Sequence, residues 1–414
     1  MNSFFASCER VFDPKLRGKP VVVLSNNDGC VVALSQEAKA LGIQMGVPWF
    51  KISAWAPLAG VIAKSSNYEL YGSLSRRVMN ILGRFSAWQE IYSIDESFLG
   101  LKGTSEQVIA TGRVMKQAVW ESLDLPVRVG IGPSKTLAKL MNHTVKKFPQ
   151  FDGVCSWDQF TEKQQEWILA NTHVTDLWGV ASRTAKRLRK LGIHSALELR
   201  DANPERIRKL FSVVLQRTVL ELRGIPCIPL EEEPPIRQQL IFSRSFSTPV
   251  TSQKEMQQVM SIYAQKVSTR LRKHGLVAQQ LNAWAMSSHF DQGFRHTASV
   301  NVGLGIPVDE PIEIAKASML ILPKMHPNAR YARAGIMLTD LSDKKNHEYL
   351  PMFTSPHEGK QIGDLLDSIN SKCGKGSVGV GLGGLQNPPQ WNMRREMLSP
   401  RATTHWDELI TVGY

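Results

Sequence analysis

Glu90-Ile91-Tyr92-Ser93-Ile94-Asp95-Glu96-Ser97-Phe98 sets two adjacent carboxylates at the turn between two apolar runs that read as β-strands. Holding two acidic groups in a partly buried turn is costly unless something cationic offsets them. A divalent metal, most commonly magnesium, is the usual counter-charge at such a tip. Turns are also acidic for reasons of solvation alone, so the pair gains weight only from what surrounds it.

Working outward, the spacing of Tyr71, Leu74, Val78 and Ile81 predicts a helix over about 68–82 with one buried face. It leads into the acidic hairpin, whose strands are expected near 88–94 and 97–101. Thr104 and Gln107 form a capping-box signature for a helix to about Ser122, 126–131 reads as a further strand, and another helix opens near Ser134. This order, αββαβ, is one strand short of the βαββαβ split unit, and the member it lacks is the first. Further upstream, Val-rich runs at 20–25 and 30–34 flank Asn26-Asn27-Asp28-Gly29, a hairpin-turn signature with Gly29 to supply positive φ.

The second half predicts the complete unit: strand 240–247, helix 254–273, strands 278–286 and 297–304, helix 311–322 and strand 331–341. Along its first helix Met256, Val259, Met260, Tyr263, Val267 and Leu271 make an apolar stripe. Lys266, Arg270 and Lys273 fall outside that stripe, as a solvated basic face or as a contact surface. Between the two units Glu231-Glu232-Glu233-Pro234-Pro235 joins a charge run to two prolines, and a linker is expected at 233–237.

The chain has 414 residues, enough for about three domains, and a 42% hydrophobic content that excludes disorder as the default. Its 50 Lys+Arg against 37 Asp+Glu leave a net charge of +13, which favours a polyanionic partner, nucleic acid first. The excess is concentrated: 174–223 holds eleven basic and five acidic residues. Within it, 174–193 reads as two short helices around Trp178-Gly179-Val180-Ala181, with Ala185, Leu188 and Leu191 on an inner face. This is either an ordinary helical pair or a helix-hairpin-helix, whose turn amides bind phosphate at a helix N-terminus. The usual hairpin has glycine at both ends of the turn, and Ala181 stands in the place of the second.

Cysteines 8, 30, 155, 227 and 373 are odd in number and widely spaced, so neither a zinc site nor a disulfide framework is expected and a reducing cytoplasm fits. No basic leader precedes a long apolar stretch, and no run of 18 apolar residues occurs, so no membrane association is expected. Gly379-Val380-Gly381-Leu382-Gly383-Gly384 matches the glycine pattern of dinucleotide sites, but Asn387-Pro388-Pro389 follows and opens no helix, so that reading fails.

Five ordered segments carry a resemblance: 2–9 (Asn2 to Glu9), 25–30 (Ser25 to Cys30), 65–71 (Ser65 to Tyr71), 92–96 (Tyr92 to Glu96) and 132–139 (Gly132 to Lys139). Together they resemble the Y-family translesion DNA polymerases over nearly the whole chain. The tail from Trp391 to Pro400, followed by Thr403-Thr404, looks like the UmuC branch.

The resemblance implies an α+β multidomain polymerase shaped like a right hand. Fingers and palm lie in 1–165, with a split βαββαβ palm whose first strand is largely missing. A helical thumb with the helix-hairpin-helix occupies 170–232, a ferredoxin-like βαββαβ little finger 238–342, and a UmuC-type tail 343–414. It implies error-prone addition of deoxynucleotides to a primer 3′-hydroxyl opposite damaged template, in the SOS response. Asp95 and Glu96 would bind two Mg²⁺ ions, Lys39 and Lys146 the triphosphate, and the ring of Phe5 would bar a ribose 2′-hydroxyl. Gly179, Ala181, Arg183, Lys186 and Arg244 would contact DNA. Expected partners are primer–template DNA, deoxynucleoside triphosphates, a processed UmuD-like dimer, a RecA filament and a sliding clamp.

Three departures from the pattern matter. The third metal carboxylate belongs two positions ahead of Asn2, before Met1, so nucleotidyl transfer is expected to be impaired in the chain as written. Either a start codon assigned too far downstream or a truncated product that keeps DNA binding would account for it. Gln36 stands where many members have a phosphate-contacting tyrosine. The clamp peptide is degenerate, Tyr349-Leu350-Pro351-Met352-Phe353 having Tyr for the usual Gln. Gly29, Cys30 and Ala33 make either a roomy pocket over the nascent pair or simply a tight hairpin. A noncatalytic protein that occupies damaged DNA is the main alternative. A nucleotidyl cyclase suits the acidic hairpin but leaves the basic segment and the second unit without a purpose.

Overall fold

The computed structural model describes residues 1–231, 237–289, 293–347, 361–374, 376–383 and 389–410. The chain divides into two compact units: Met1–Leu24, Cys30–Pro234 and Met397–Tyr414 form the first, Ser25–Gly29 and Pro235–Glu396 the second.

The first unit opens with α1 (Phe4–Phe12), then β1 (Val21–Leu24), β2 (Val31–Leu34), α2 (Gln36–Ala40), β3 (Ile62–Ser65) and α3 (Tyr68–Leu82). β1 is antiparallel to β2 and parallel to β3, giving the order β2-β1-β3. The expected hairpin is present, but Gly29 sits at φ −77° and the positive φ falls on Asn27 (58°) and Asp28 (49°). Short polar side chains that bond to nearby backbone tolerate the left-handed region, so the turn did not need its glycine for that purpose. Tyr71, Leu74 and Val78 of α3 are buried with Phe4, Val21 and Val23 in one core.

β4 (Gln89–Ile91) and β5 (Ser97–Leu99) form the acidic hairpin, with Glu90 opposite Phe98. α4 (Ser105–Leu123) follows with the capping box of Thr104 and Gln107 formed, then β6 (Val129–Ile131), α5 (Lys135–Lys147) and β7 (Val154–Ser156). β4-β5 and β6-β7 are separate two-stranded sheets, and the strands are shorter than the sequence pattern predicts. α5 shares its core with α6 (Glu162–Ala170), α7 (Ser182–Arg189), α8 (Ala196–Asp201), α9 (Pro204–Leu210) and α10 (Val213–Leu222). The first of the two short helices expected at 174–193 is only a three-residue 3-10 turn, Val174–Asp176. Ala185 and Leu188 are buried, but Leu191 is 40% exposed, because α7 ends at Arg189 and its helical spacing no longer applies.

The second unit follows its expected βαββαβ order: β8 (Gln239–Val250), α11 (Gln253–Lys273), β9 (Leu276–Ser287), β10 (Thr297–Val308), α12 (Pro311–Ser318) and β11 (Tyr331–Asp343). The sheet runs β10-β9-β11-β8, entirely antiparallel, so the last strand lies between the first and second. The whole apolar stripe of α11 is buried against it. α12 gives way to a 3-10 stretch, Met319–Lys324, since Pro323 cannot donate to an α ladder. α13 (Ile362–Lys372) packs against α11 through Arg272, which pairs with Asp367 at 2.6 Å. Among the described residues no helix is long and apolar enough to cross a membrane.

Candidate active site

The acidic tip is shaped by its own backbone and serine. The Tyr92 and Ser93 N–H groups both donate to the Glu96 carbonyl at 3.1 Å, closing the turn. Ser93 Oγ donates to Asp95 Oδ1 at 2.7 Å and accepts from the Asp95 N–H at 3.2 Å. Three-residue strands cannot hold such a tip by themselves, and polar contacts with α5 and the 178–181 loop do the rest. Lys135 forms a buried ion pair with Glu90 and donates to the Pro229 carbonyl at 2.6 Å. Lys139 pairs with Glu96 at 2.6 Å and lies over the Tyr92 ring. Trp178 Nε1 donates to Tyr92 Oη at 3.0 Å.

α5 is fixed at its N-terminus by Ser134, which caps the Leu137 N–H, and by the buried carboxylate of Glu221. Glu221 accepts from the Thr136 N–H and hydroxyl, both at 2.9 Å, and from the N–H groups of Cys227 and Ile228. A negative charge at this end suits the helix dipole. β6 comes so close to α5 that a Cβ on Gly130 would collide with Asn142 N and the Ala138 carbonyl. That approach turns the face bearing Lys139, Asn142 and Lys146, spaced i, i+3, i+7, toward the acidic tip.

These elements enclose a cavity of about 470 Å³ lined by Asp95, Glu96, Lys39, Arg128, Lys139 and Lys146, with Ser3, Gln36 and Asn142. Burial holds the Lys39 ammonium below its usual range, and the charges of Lys146 and Arg128 push it further down. A lysine held down by neighbouring cations in this way is balanced by binding an anion. The Met1 amino group donates to the Asp95 carbonyl at 2.8 Å. Burial lowers its pKa, against the pull of Asp95 and Glu96. Two carboxylates facing a cluster of cations can hold a divalent ion together with a polyphosphate, whose oxygens complete the ion's coordination.

The structure therefore brings Asp95, Glu96, Lys39 and Lys146 together. Phe5 is not among the lining residues: its ring stacks on Tyr71, centroids 4.6 Å apart, with Tyr68 against it edge-on at 5.6 Å. Gly179, Ala181, Arg183 and Lys186 are all exposed around the start of α7, and Gly179 takes φ 81°. Arg244, on β8 of the second unit, lies over the Phe242 ring at 4.6 Å. Tyr349, Leu350, Met352 and Phe353 lie outside the described residues, as do 233–236 of the linker. Sequence reasoning missed Arg128 and Asn142, and took Lys139 only as part of a motif. The helical spacing on α5 was a signal for two of them.

Residues 1–143 match the impB/mucB/samB family and 237–350 its C-terminal domain. The protein UmuC of Salmonella typhimurium is 42% identical over 100% of this chain and 98% of its own. The chain belongs to the impB/mucB/samB family, a UmuC-like branch of the Y-family DNA polymerases. SamB of Salmonella typhimurium is 41% identical over 99% of this chain and 97% of its own, and DNA polymerase IV 1 of Bacillus subtilis 29% over 90% and 89%. A Y-family DNA polymerase chimera of Dbh and Dpo4 superposes with a TM-score of 0.66, covering 82% of this chain and 96% of the chimera, at 23% identity. An insertion ternary complex of Dbh DNA polymerase gives 0.53 over the same shares. At such identity these likenesses establish the α+β polymerase fold. Residues 360–412 match a domain of unknown function.

Proposed function

We infer that this family member adds deoxynucleotides to a primer 3′-hydroxyl on a DNA template, damaged bases included. The observation that carries the reading is the single cavity where Asp95 and Glu96 face Lys39, Arg128, Lys139 and Lys146. Two carboxylates and a substrate polyphosphate form a donor set suited to magnesium, so Asp95 and Glu96 are the residues that would hold two such ions. When bound, the ions supply Lewis acidity to the 3′-hydroxyl and charge neutralisation to the triphosphate. The chain's own groups do the rest. Lys39, Lys146 and Arg128 draw in and orient the triphosphate and balance charge on the leaving pyrophosphate. Ser93 holds the Asp95 carboxylate in one rotamer, and Lys139 orients Glu96. Phe5, backed by Tyr71, bars a ribose 2′-hydroxyl.

In this reading 1–165 act as fingers and palm, 170–232 as thumb, 238–342 as little finger and 343–414 as tail. Gly179, Ala181, Arg183, Lys186 and Arg244 meet DNA phosphates, giving an affinity that falls steeply with salt. Work in the SOS response with a UmuD-like dimer, a RecA filament and a sliding clamp belongs to the same proposal. The alternative is a noncatalytic protein that occupies damaged DNA through the same basic groups. Primer extension across an intact and an abasic template, with and without Mg²⁺, decides between them. Metal-dependent extension that Asp95→Ala abolishes is the expected result. Tight DNA binding without extension would leave only the binding role.

A further inference from the structure

Past Glu396 the chain belongs to the first unit. The Met397 N–H donates to Ser65 Oγ and the Ser65 N–H to the Met397 carbonyl, both at 3.0 Å, and Leu398 bridges Ser65 in parallel register. The segment thus adds to the free side of β3 in the β2-β1-β3 sheet. Asn67, fully buried at the N-cap of α3, holds the next two residues of the segment. Its Nδ2 donates to the Ser399 carbonyl and Oγ at 3.0 Å and to the Pro400 carbonyl at 3.4 Å. Arg401 pairs with Glu69 in the first turn of α3, at 3.4 Å.

Ser399 Oγ in turn donates to Glu9 Oε1 at 3.1 Å, and the same oxygen accepts from Tyr71 Oη at 2.5 Å. Tyr71 is the ring on which Phe5 stacks, with an interplanar angle of 14°. A continuous line of contacts therefore runs from the C-terminal segment through Glu9 and Tyr71 to Phe5. Glu9 is 2% exposed, and burial pushes its carboxyl up while the Tyr71 and Ser399 hydroxyls pull it back. Phe5 needs such support: it lies in the first turn of a nine-residue helix whose N-cap, Ser3, makes no side-chain capping bond. A helix end without a side-chain cap relies on its other contacts, and the Tyr71 ring supplies one of them to Phe5.

We propose that Ser399 is a positioning residue for sugar selection: the C-terminal segment, docked on Asn67, fixes Glu9 and Tyr71 and so sets the Phe5 ring against the incoming ribose. This rests on the reading of Phe5 as the residue that excludes a 2′-hydroxyl, and it gives part of a domain of unknown function a task. The test uses the full chain on a primer–template with Mg²⁺ and compares kcat/KM for a deoxynucleotide and the matching ribonucleotide. The same pair is compared for its ability to stabilise a dideoxy-terminated primer–template complex, which needs no turnover. Ser399→Ala is expected to lower the deoxy-to-ribo ratio roughly tenfold, the scale of a hydrogen bond to a charged group, by improving the ribonucleotide side. Ser399→Thr, which keeps the hydroxyl, restores the ratio. Tyr71→Phe, which keeps the ring, reproduces the loss. In a Phe5→Ala background Ser399→Ala adds nothing. The proposal is overturned if Phe5→Ala lowers the ratio and neither Ser399→Ala nor Tyr71→Phe does, or if those two weaken both nucleotides alike. A ratio unmoved by Phe5→Ala itself defeats the underlying reading of Phe5, and this proposal with it.

Discussion

The sheet of the second unit and the acidic hairpin of the first are built from the same kind of element and behave oppositely. β8, β9 and β10 have 12 residues each and β11 has 13, and β11 is paired along both edges. β4 and β5 have three each, and their tip is fixed by Lys135, Lys139 and Trp178 from outside the hairpin. A long ladder satisfies backbone groups internally and needs only an apolar face to be stable. A short ladder leaves the tip free to present carboxylates, and the orientation the ladder no longer supplies comes from side chains. Stability and the proposed chemistry are thus placed in different parts of the chain.

That separation can be broken or sharpened by substitution. The largest effect belongs to the tip: Asp95→Ala should lower metal-dependent nucleotide addition by roughly a thousandfold, judged from single-turnover extension, while calorimetry shows little change in melting. Its mirror is Leu338→Ala in the buried centre of β11, which should cost about 2–5 kcal/mol of stability in chemical denaturation. The rate of nucleotide addition by the folded fraction should not move. Should Leu338→Ala slow the chemistry itself, the division of labour fails.

Within the cavity, Lys39→Ala should raise KM for the nucleotide roughly tenfold with a smaller effect on kcat, since one cation of the cluster is lost and the others remain. The smallest effect concerns Glu9, whose carboxyl burial has raised. A carboxyl that binds its proton more tightly when folded contributes stability below the ordinary carboxyl range, and that contribution is lost as pH rises through the raised value. Glu9→Gln, which can still accept from Tyr71 and Ser399, should therefore raise the melting temperature more at pH 8 than at pH 5. Equal shifts at both pH values would place the charge of Glu9 elsewhere in the balance.

Much of this was legible in one dimension because the signals are local. The α11 stripe, the Thr104–Gln107 capping box and the alternation of the long strands each depend on spacing within a few residues, and the structure has them where the spacing puts them. The Asp95-Glu96 tip was legible for the same reason. What escaped was β3 and β7, four and three residues long, which exist as strands only because β1 and β6 lie beside them in parallel. The 3-10 turn at Val174–Asp176 escaped too, since Val174 fits the start of a helix equally well.

Sequence by itself determined the elements flanking the acidic hairpin and those of the second unit, the net basic charge and the acidic pair, because propensity, periodicity and composition act over short range. Only the tertiary structure decided that Arg128 lines the cavity of Asp95 and Glu96, and that Ser399 reaches Glu9 across 390 positions. Such contacts arise from how buried polar groups find partners once the cores have closed, and no spacing along the chain encodes them.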